Sequence, residues 1–199
     1  MIKGHLVLIG YWISFAIIHH VMATESFKLH SIKALGAMGH IYRLVYSIVA
    51  SITLFLVLEK HFRTPIVSVP VPFGVAMIAG VPGLMVGLYI VRACLNKYFL
   101  KLSGVGIFND NYQTPALETT GLHRYCRHPL YLGTLITIWS LLILFPDVRG
   151  FISCMSVTIY VLYGTGPEET KLMKQFGNDY VRYKETTPAI FPRFFFRFK

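Results

Sequence analysis

The chain has 199 residues, of which 54% are hydrophobic and 14% are charged, and its mean hydropathy is +0.56. Soluble domains carry about 25% charged residues, so this composition excludes an ordinary soluble protein and indicates a multi-pass membrane protein of one domain. The net charge of +10 does not indicate nucleic-acid binding, because Lys and Arg occupy loop positions rather than one basic face.

Five apolar runs predict an all-α polytopic membrane protein. A membrane-spanning helix needs about 17–25 residues, and the last two runs are short by this measure. The turn Phe145–Gly150 separates these two, which predicts a tight helical hairpin. A four-span alternative with a re-entrant hairpin stays open. The runs are Leu6–Ala23, Tyr42–Leu58, Phe73–Leu95, Leu130–Phe145 and Gly150–Gly164.

The distribution of basic residues predicts the orientation in the membrane. Cytoplasmic segments of membrane proteins are enriched in Lys and Arg. With the N-terminus outside, most of the 19 basic residues fall in the first loop, the third loop and the C-terminal tail. The outer segments then hold only Lys3, Lys60, Arg63 and Arg149. We therefore expect the N-terminus outside and the C-terminus in the cytoplasm.

Two local patterns predict helix geometry. In the third run, Gly80, Gly83 and Gly87 favour close helix packing, and Pro82 predicts a kink. After the last run, Thr165–Glu168 is typical of a helix start, with Thr165 as the N-cap. We expect a separate amphipathic helix there, at the cytoplasmic membrane surface, with an apolar stripe formed by Leu172, Met173 and Phe176.

The tract Gly121–Gly133 places two arginines, two histidines and two tyrosines directly before a long apolar run. Charge at the edge of a bilayer is costly, so this cluster indicates a function. Glu168-Glu169 is the only adjacent acidic pair, and the predicted topology places it on the same side. The tract and the pair could form one polar pocket. Topology alone can also explain Arg127, and the helix dipole can explain first-turn glutamates.

Histidines and cysteines give weaker indications. His123, Cys126 and His128 match no standard metal-site spacing, so we expect no metal. Cys94, Cys126 and Cys154 show no CxxC spacing, which favours free, buried thiols. His19 and His20 lie near the cytoplasmic end of the first run, where interior packing and a substrate pocket are alternative interpretations.

Several motifs in the second half carry a family resemblance. They resemble the C-terminal signature of the isoprenylcysteine carboxyl methyltransferase and phospholipid methyltransferase superfamily, which comprises integral-membrane enzymes that use S-adenosylmethionine. In chain order the motifs are Arg127-His128-Pro129-Leu130-Tyr131-Leu132-Gly133, Glu168-Glu169, Phe176–Tyr183, Pro188 and Pro192.

The first half has its own resemblance. His19–Thr24, Lys28 and Tyr42–Ser47 are similar to NnrU-type membrane proteins and bacterial methanethiol S-methyltransferases. One departure concerns Gly164–Gly166, where isoprenylcysteine enzymes commonly carry an arginine shortly before the glutamate pair. This difference weakens the expectation of a prenylated carboxylate substrate.

The resemblance implies a set of site residues. Residues 1–199 would form one methyltransferase domain, with a three-helix part at 1–100 and a cofactor-binding part at 101–199. S-adenosylmethionine would be bound through polar groups of Arg127, His128 and Tyr131, with Glu168 or Glu169 on its ammonium or ribose. The adenine would be covered by Leu122. The catalytic set would be Arg127, His128 and Glu168, and the acceptor would be met by His19, His20, Tyr42 and Arg43.

We therefore expect a bacterial inner-membrane methyltransferase that uses S-adenosylmethionine and methylates a thiol or another small lipophilic acceptor. Its partners would be the lipid bilayer and that acceptor. The alternatives are methylation of an isoprenylcysteine carboxylate or a phospholipid, a non-catalytic NnrU-type membrane protein, and a small transporter. A transporter should carry charges inside its spans, and the apolar runs here contain almost none.

Overall fold

The computed structural model describes residues 2–103, 105 and 116–192, and every regular element in these ranges is a helix. The predicted all-α fold is therefore confirmed. We number the helices α1 (Ile2–Ala23), α2 (Glu25–Leu35), α3 (Tyr42–Arg63), α4 (Val81–Ser103), α5 (Pro129–Leu144), α6 (Val148–Phe176) and α7 (Asn178–Thr186). Short 3-10 helices occupy Gly36–Ile41 and Gly121–Arg124.

Four helical stretches are long and apolar enough to cross a membrane. They are Ile2–Ala23, Glu25–Arg63, Phe73–Phe99 and Val148–Phe176, and the apolar helix α5 is shorter at 16 residues. Large hydrophobic side chains such as Phe55, Ile78 and Ile159 lie exposed along them. An apolar exterior of this kind is stable in lipid, so the chain is a polytopic membrane protein.

The predicted helix start at Thr165 is wrong. Helix α6 runs without a break from Val148 to Phe176, and Pro167 lies inside it. The Thr165 hydroxyl donates to the Val161 carbonyl at 2.9 Å, as in a helix interior, instead of capping a new helix. An interior proline removes one backbone hydrogen bond, at a cost of about 3 kcal/mol. Contacts made by the glutamates after Pro167, described below, offset that cost.

Residues 2–69, 98–103 and 147–156 form a first compact unit. Within it, α1 packs against α3, and the Ser153 hydroxyl accepts a hydrogen bond from the Trp12 indole at 3.0 Å. The same hydroxyl lies 2.9 Å from Nδ1 of His61. The Asp147 carboxylate accepts from the Gly150 amide and from Arg149, so it fixes the start of α6.

Residues 70–97, 116–146 and 157–192 form a second compact unit. A glycine-lined face of its α4 region meets α5 at close range. A Cβ at Gly80 would lie 2.6 Å from the Leu144 side chain, and one at Gly87 would lie 2.7 Å from the Thr137 amide nitrogen. The predicted close packing is therefore present. The irregularity expected at Pro82 is a π-helix over Ala76–Gly80, immediately before α4.

The hydrophobic core of this second unit includes Cys126 of the polar tract. Burial of the Cys126 side chain, which is 1% exposed, raises the pKa of its thiol to about 11. All three cysteines are buried and free, as the sequence predicted. On α5 and α6 the Trp139 indole donates to the Thr158 hydroxyl at 3.1 Å, which agrees with the predicted hairpin. The core cluster contains Cys126, Leu132, Leu135, Val161 and Ile190.

The glycine face gives a stability prediction. Gly87→Ala places a methyl group against the α5 backbone, which cannot move aside as a side chain would, so we expect a loss of about 1–3 kcal/mol. Gly164→Ala is the matched control, because a Cβ there meets nothing within 4 Å. Thermal unfolding in detergent, followed with a thiol-reactive dye, should show a lower Tm for Gly87→Ala only. Equal Tm values would contradict the close approach of α4 and α5.

Candidate active site

The second unit contains a cluster of charged and polar side chains, which we call the Arg127 cluster. Its members come from the polar tract, the start of α5, the second half of α6, and α7. Three of them, Arg127, His128 and Glu169, are buried. The members are Arg127, His128, Tyr131, Glu168, Glu169 and Lys184.

The centre of the Arg127 cluster is a buried ion pair between Arg127 and Glu169. The Arg127 Nε donates to Glu169 Oε1 at 2.8 Å, and Nη2 bonds the same oxygen. The Nη1 donates to the carbonyls of Lys184, at 3.2 Å, and of Thr187. Each guanidinium nitrogen therefore bonds a protein oxygen. Arginine is suited to such a site because its planar group offers several donors with fixed geometry.

The polar tract is also fixed through its backbone. The amides of Arg127 and His128 donate to the carbonyls of Pro188 and Ala189, both at 2.9 Å. Together with the Arg127 side chain, these bonds attach the segment after α7 to the residues before α5. The tract is therefore held at its position by paired backbone groups, which would otherwise be costly to bury.

His128 lies between the two glutamates. Its Nδ1 is 3.6 Å from Glu168 Oε2, and its Nε2 is 3.4 Å from Glu169 Oε1. The ring stacks on Tyr131, with centroids 5.4 Å apart and planes 14° from parallel. Pro129 follows at the first position of α5, where its missing amide costs no helical bond. The sequence therefore places His128 as the last residue before α5.

The two glutamates have different surroundings. The Glu169 side chain is 8% exposed, and its second oxygen accepts from Lys184 Nζ at 2.9 Å. The Glu168 side chain is 43% exposed. Its Oε2 accepts from the Tyr131 hydroxyl at 2.6 Å, and Oε1 has no hydrogen-bond partner among residues 2–103, 105 and 116–192. Of these two carboxylates, only that of Glu168 thus keeps an accessible hydrogen-bond acceptor.

Two neighbouring side chains, Tyr180 and His123, stay uncharged near pH 7. Burial raises the pKa of Tyr180, which is 1% exposed, to about 12, and the nearby Glu169 carboxylate adds to this rise. Burial lowers the pKa of His123, whose carbonyl accepts from the Tyr183 hydroxyl at 2.5 Å. Both effects favour uncharged side chains around the ion pair.

A second, more exposed ion pair precedes the polar tract. Lys97 on α4 bonds Glu118, and the Thr120 amide donates to the same carboxylate at 3.0 Å. These hydrogen bonds, from Lys97 and then from Thr120, lower the pKa of Glu118 to about 2. Leu122, which the sequence predicted to cover adenine, is half-buried in the 3-10 helix that follows.

An open apolar groove lies on the same unit. It has a volume of about 380 Å³, and the described residues that line it carry no charge. Ile190 is buried, while Leu162 and Phe191 lie about half exposed at the surface. The groove shares Pro188 and Ala189 with the backbone segment that is bonded to the polar tract. Its lining residues are Leu162, Thr165, Pro188, Ala189, Ile190 and Phe191.

The residues predicted to meet the acceptor all lie in the first unit. The Tyr42 hydroxyl donates to the Met22 carbonyl at 2.6 Å, and the Tyr46 hydroxyl lies 2.8 Å from Nε2 of His19. His20 is half-buried and Arg43 is exposed. Tyr42 and His19 therefore connect α1 and α3, and the substrate role of these four residues stays a prediction.

Sequence reasoning missed Lys184 and Thr187, which complete the ion pair from α7 and the segment after it. The signal for Lys184 was its position on a short helix directly after the recognised motif Phe176–Tyr183. Thr187 contributes a backbone carbonyl, so its residue type carried no signal. Across the described part of the chain, no group of three His, Cys, Asp or Glu side chains could hold a metal ion.

Comparisons with known proteins indicate the family of this chain. The family model for phospholipid methyltransferases matches residues 75–179. Methanethiol S-methyltransferase of Pseudomonas deceptionensis is 30% identical over 188 residues, which cover 89% of this chain and 69% of that protein. Its namesake in Pseudomonas sp. (strain GM41(2012)) is 27% identical over 186 residues, which cover 90% of this chain and 70% of that protein.

A more distant match covers part of the chain. Protein-S-isoprenylcysteine O-methyltransferase of Rattus norvegicus is 28% identical over 112 residues, which cover 53% of this chain and 39% of that protein. No solved structure matches the chain. The family model covers more than half of the chain and includes the polar tract and both glutamates. The chain therefore belongs to the phospholipid methyltransferase family and is an integral-membrane methyltransferase.

Proposed function

We propose that this protein transfers a methyl group from S-adenosylmethionine to a small lipophilic thiol, and that the Arg127 cluster binds the methyl donor. The observation that carries the proposal is the Glu168 carboxylate, which is partly exposed and keeps one oxygen without a partner among the described residues. Its neighbour Glu169 is buried and bonded on both oxygens. The Arg127 cluster thus exposes one Glu168 oxygen as a hydrogen-bond acceptor, while buried contacts hold the rest of the cluster in place.

The residues present fit the chemical groups of S-adenosylmethionine. A carboxylate beside a stacked pair of aromatic rings suits a cationic ligand, because both the charge and the ring faces attract cations. The ammonium or ribose hydroxyls would meet Glu168, with His128 and Tyr131 as further polar contacts. Leu122 supplies an apolar surface for the adenine. Arg127 and Glu169 hold the ligand-binding side chains in place, because their own polar atoms bond protein groups.

When bound, S-adenosylmethionine supplies an electrophilic methyl group attached to a positively charged sulfur. The protein's part is to align the acceptor with that methyl group and to keep water away. The buried Arg127–Glu169 pair fixes His128 and the preceding tract, so the polar contacts are formed before the ligand arrives. A thiol acceptor that arrives as the thiolate needs no base from the protein.

The acceptor assignment has support from the relatives and from the groove. Two relatives that align over most of this chain are named methanethiol S-methyltransferases. The described residues that line the groove of about 380 Å³ carry no charge. The groove therefore favours the binding of an uncharged, apolar group. We assign this groove to the apolar part of the thiol. An isoprenylcysteine is the competing acceptor, because the rat relative shares about half of this chain.

The proposal includes a placement in the membrane. The whole chain would act as one domain in a bacterial inner membrane, with the N-terminus outside and the Arg127 cluster at the cytoplasmic surface. Helix α5 would cross as a short fifth span that is buried beside α4, and the end of α6 would lie at the interface. Cysteine-accessibility mapping with a membrane-impermeant maleimide would test this orientation at Lys3→Cys and Lys174→Cys.

The contrast between the glutamates gives a first prediction. Glu168→Gln should weaken binding of S-adenosylhomocysteine at least tenfold with little change in Tm, because its side chain is partly exposed. Glu169→Gln should lower Tm, because removal of one partner of a buried ion pair costs about 3–5 kcal/mol. Calorimetry and thermal unfolding measure the two effects. Wild-type protein that folds but does not bind S-adenosylhomocysteine would contradict the proposed function.

The groove gives a second prediction. Leu162→Trp should fill the groove and raise KM for an alkyl thiol at least several-fold, while binding of S-adenosylhomocysteine stays unchanged. Ile159→Trp is the matched control, because this residue lies on the same helix, is 62% exposed and does not line the groove. Initial rates with labelled S-adenosylmethionine, measured with alkyl thiols, prenylcysteines and phospholipids, would identify the acceptor. Equal KM values for both variants would exclude the groove as the acceptor site.

A further inference from the structure

We infer that Lys184 is a positioning residue of the donor site, which acts by keeping Glu169 on the protein so that Glu168 alone meets the ligand's cationic group. This inference rests on the proposed function. It concerns a residue outside the motifs that identified the site, on the short helix α7.

Lys184 occupies the oxygen of Glu169 that Arg127 does not use. The Arg127 guanidinium and His128 Nε2 approach Oε1, with Arg127 Nε at 2.8 Å and His128 Nε2 at 3.4 Å. The Lys184 ammonium lies 2.9 Å from Oε2. With both oxygens engaged, the Glu169 carboxylate cannot turn toward a ligand without breaking a contact to the protein. The adjacent Glu168 differs because its Oε1 lacks a partner in the described ranges.

Residue 184 contacts the ion pair at two points. Its side chain bonds Glu169, and its carbonyl accepts from Arg127 Nη1 at 3.2 Å. These contacts close a ring that runs from Arg127 through Glu169 to Lys184. A ring of this kind restrains the rotamers of Arg127 and Glu169, because either side chain can turn only by breaking at least two charge-assisted contacts.

The exposure of Lys184 separates positioning from folding. Its side chain is 45% exposed, whereas those of Arg127 and Glu169 are 7% and 8% exposed. Removal of the lysine ammonium therefore opens no core cavity and leaves the Arg127–Glu169 pair in place. The change instead frees one Glu169 oxygen close to His128. That oxygen would then compete with Glu168 for the His128 ring and disturb the alignment of Glu168 with the ligand's ammonium.

The experiment compares two ligands on the purified full-length protein. S-adenosylhomocysteine carries an α-ammonium, and its deamino analogue lacks that group but keeps the rest. Lys184→Met should weaken binding of S-adenosylhomocysteine about tenfold, as expected if the charge-assisted hydrogen bond between Glu168 and the ligand's α-ammonium loses its alignment. Binding of the deamino analogue should stay within about twofold, since it does not depend on the cation site. Lys184→Arg should restore most of the lost affinity.

The matched control is Lys174→Met, which removes the same charge from the exposed surface of α6. It should bind both ligands as the wild type does. Thermal unfolding of the ligand-free proteins should give similar Tm values for both variants. Lys184→Met that binds S-adenosylhomocysteine as tightly as Lys174→Met would overturn the inference, and so would an equal loss for both ligands or a large fall in Tm. If the wild type binds neither ligand, the proposed function fails instead.

Discussion

The geometry of the Arg127 cluster depends on one buried carboxylate, that of Glu169. A buried carboxylate must be paired and hydrogen-bonded, because the free energy of its desolvation would otherwise be large compared with the net stability of a protein. Arg127, Lys184 and His128 together meet that requirement. In doing so they bring α5, α6 and α7 to one point and fix the polar tract before α5. The exposed chemistry of Glu168 and Tyr131 then rests on this support.

The sequence carried much of this arrangement. Apolar runs of sufficient length predicted an all-helical membrane protein, and the spacing of Gly80, Gly83 and Gly87 predicted a close helix contact. The polar tract and the glutamate pair were predicted to meet. These features follow from local composition and periodicity, which the sequence displays directly. The structure brings Arg127, His128, Tyr131 and both glutamates together in one unit, while their binding roles stay predictions.

Other features could not be predicted because they depend on tertiary contacts. Thr165–Glu168 has the residues of a helix start, and Pro167 favours a boundary, yet α6 continues through it. The contacts of Glu168 and Glu169 offset the lost hydrogen bond, and no local pattern reveals them. Likewise, the adjacent glutamates are equivalent in sequence. Helix geometry turns neighbouring side chains about 100° apart, so one points into the ion pair and the other toward solvent.

The burial of Cys126 has a consequence for self-modification. A site that methylates thiols exposes its own cysteines to the same electrophile, and Cys126 is the residue directly before Arg127. Its thiol is 1% exposed and has a pKa of about 11, so only a minute fraction ionises near neutral pH. The neighbouring side chains that exclude solvent from Cys126 would also keep it out of reach of a donor bound at the Arg127 cluster as proposed. With that site, the core of the second unit would protect the enzyme from methylation of its own thiol.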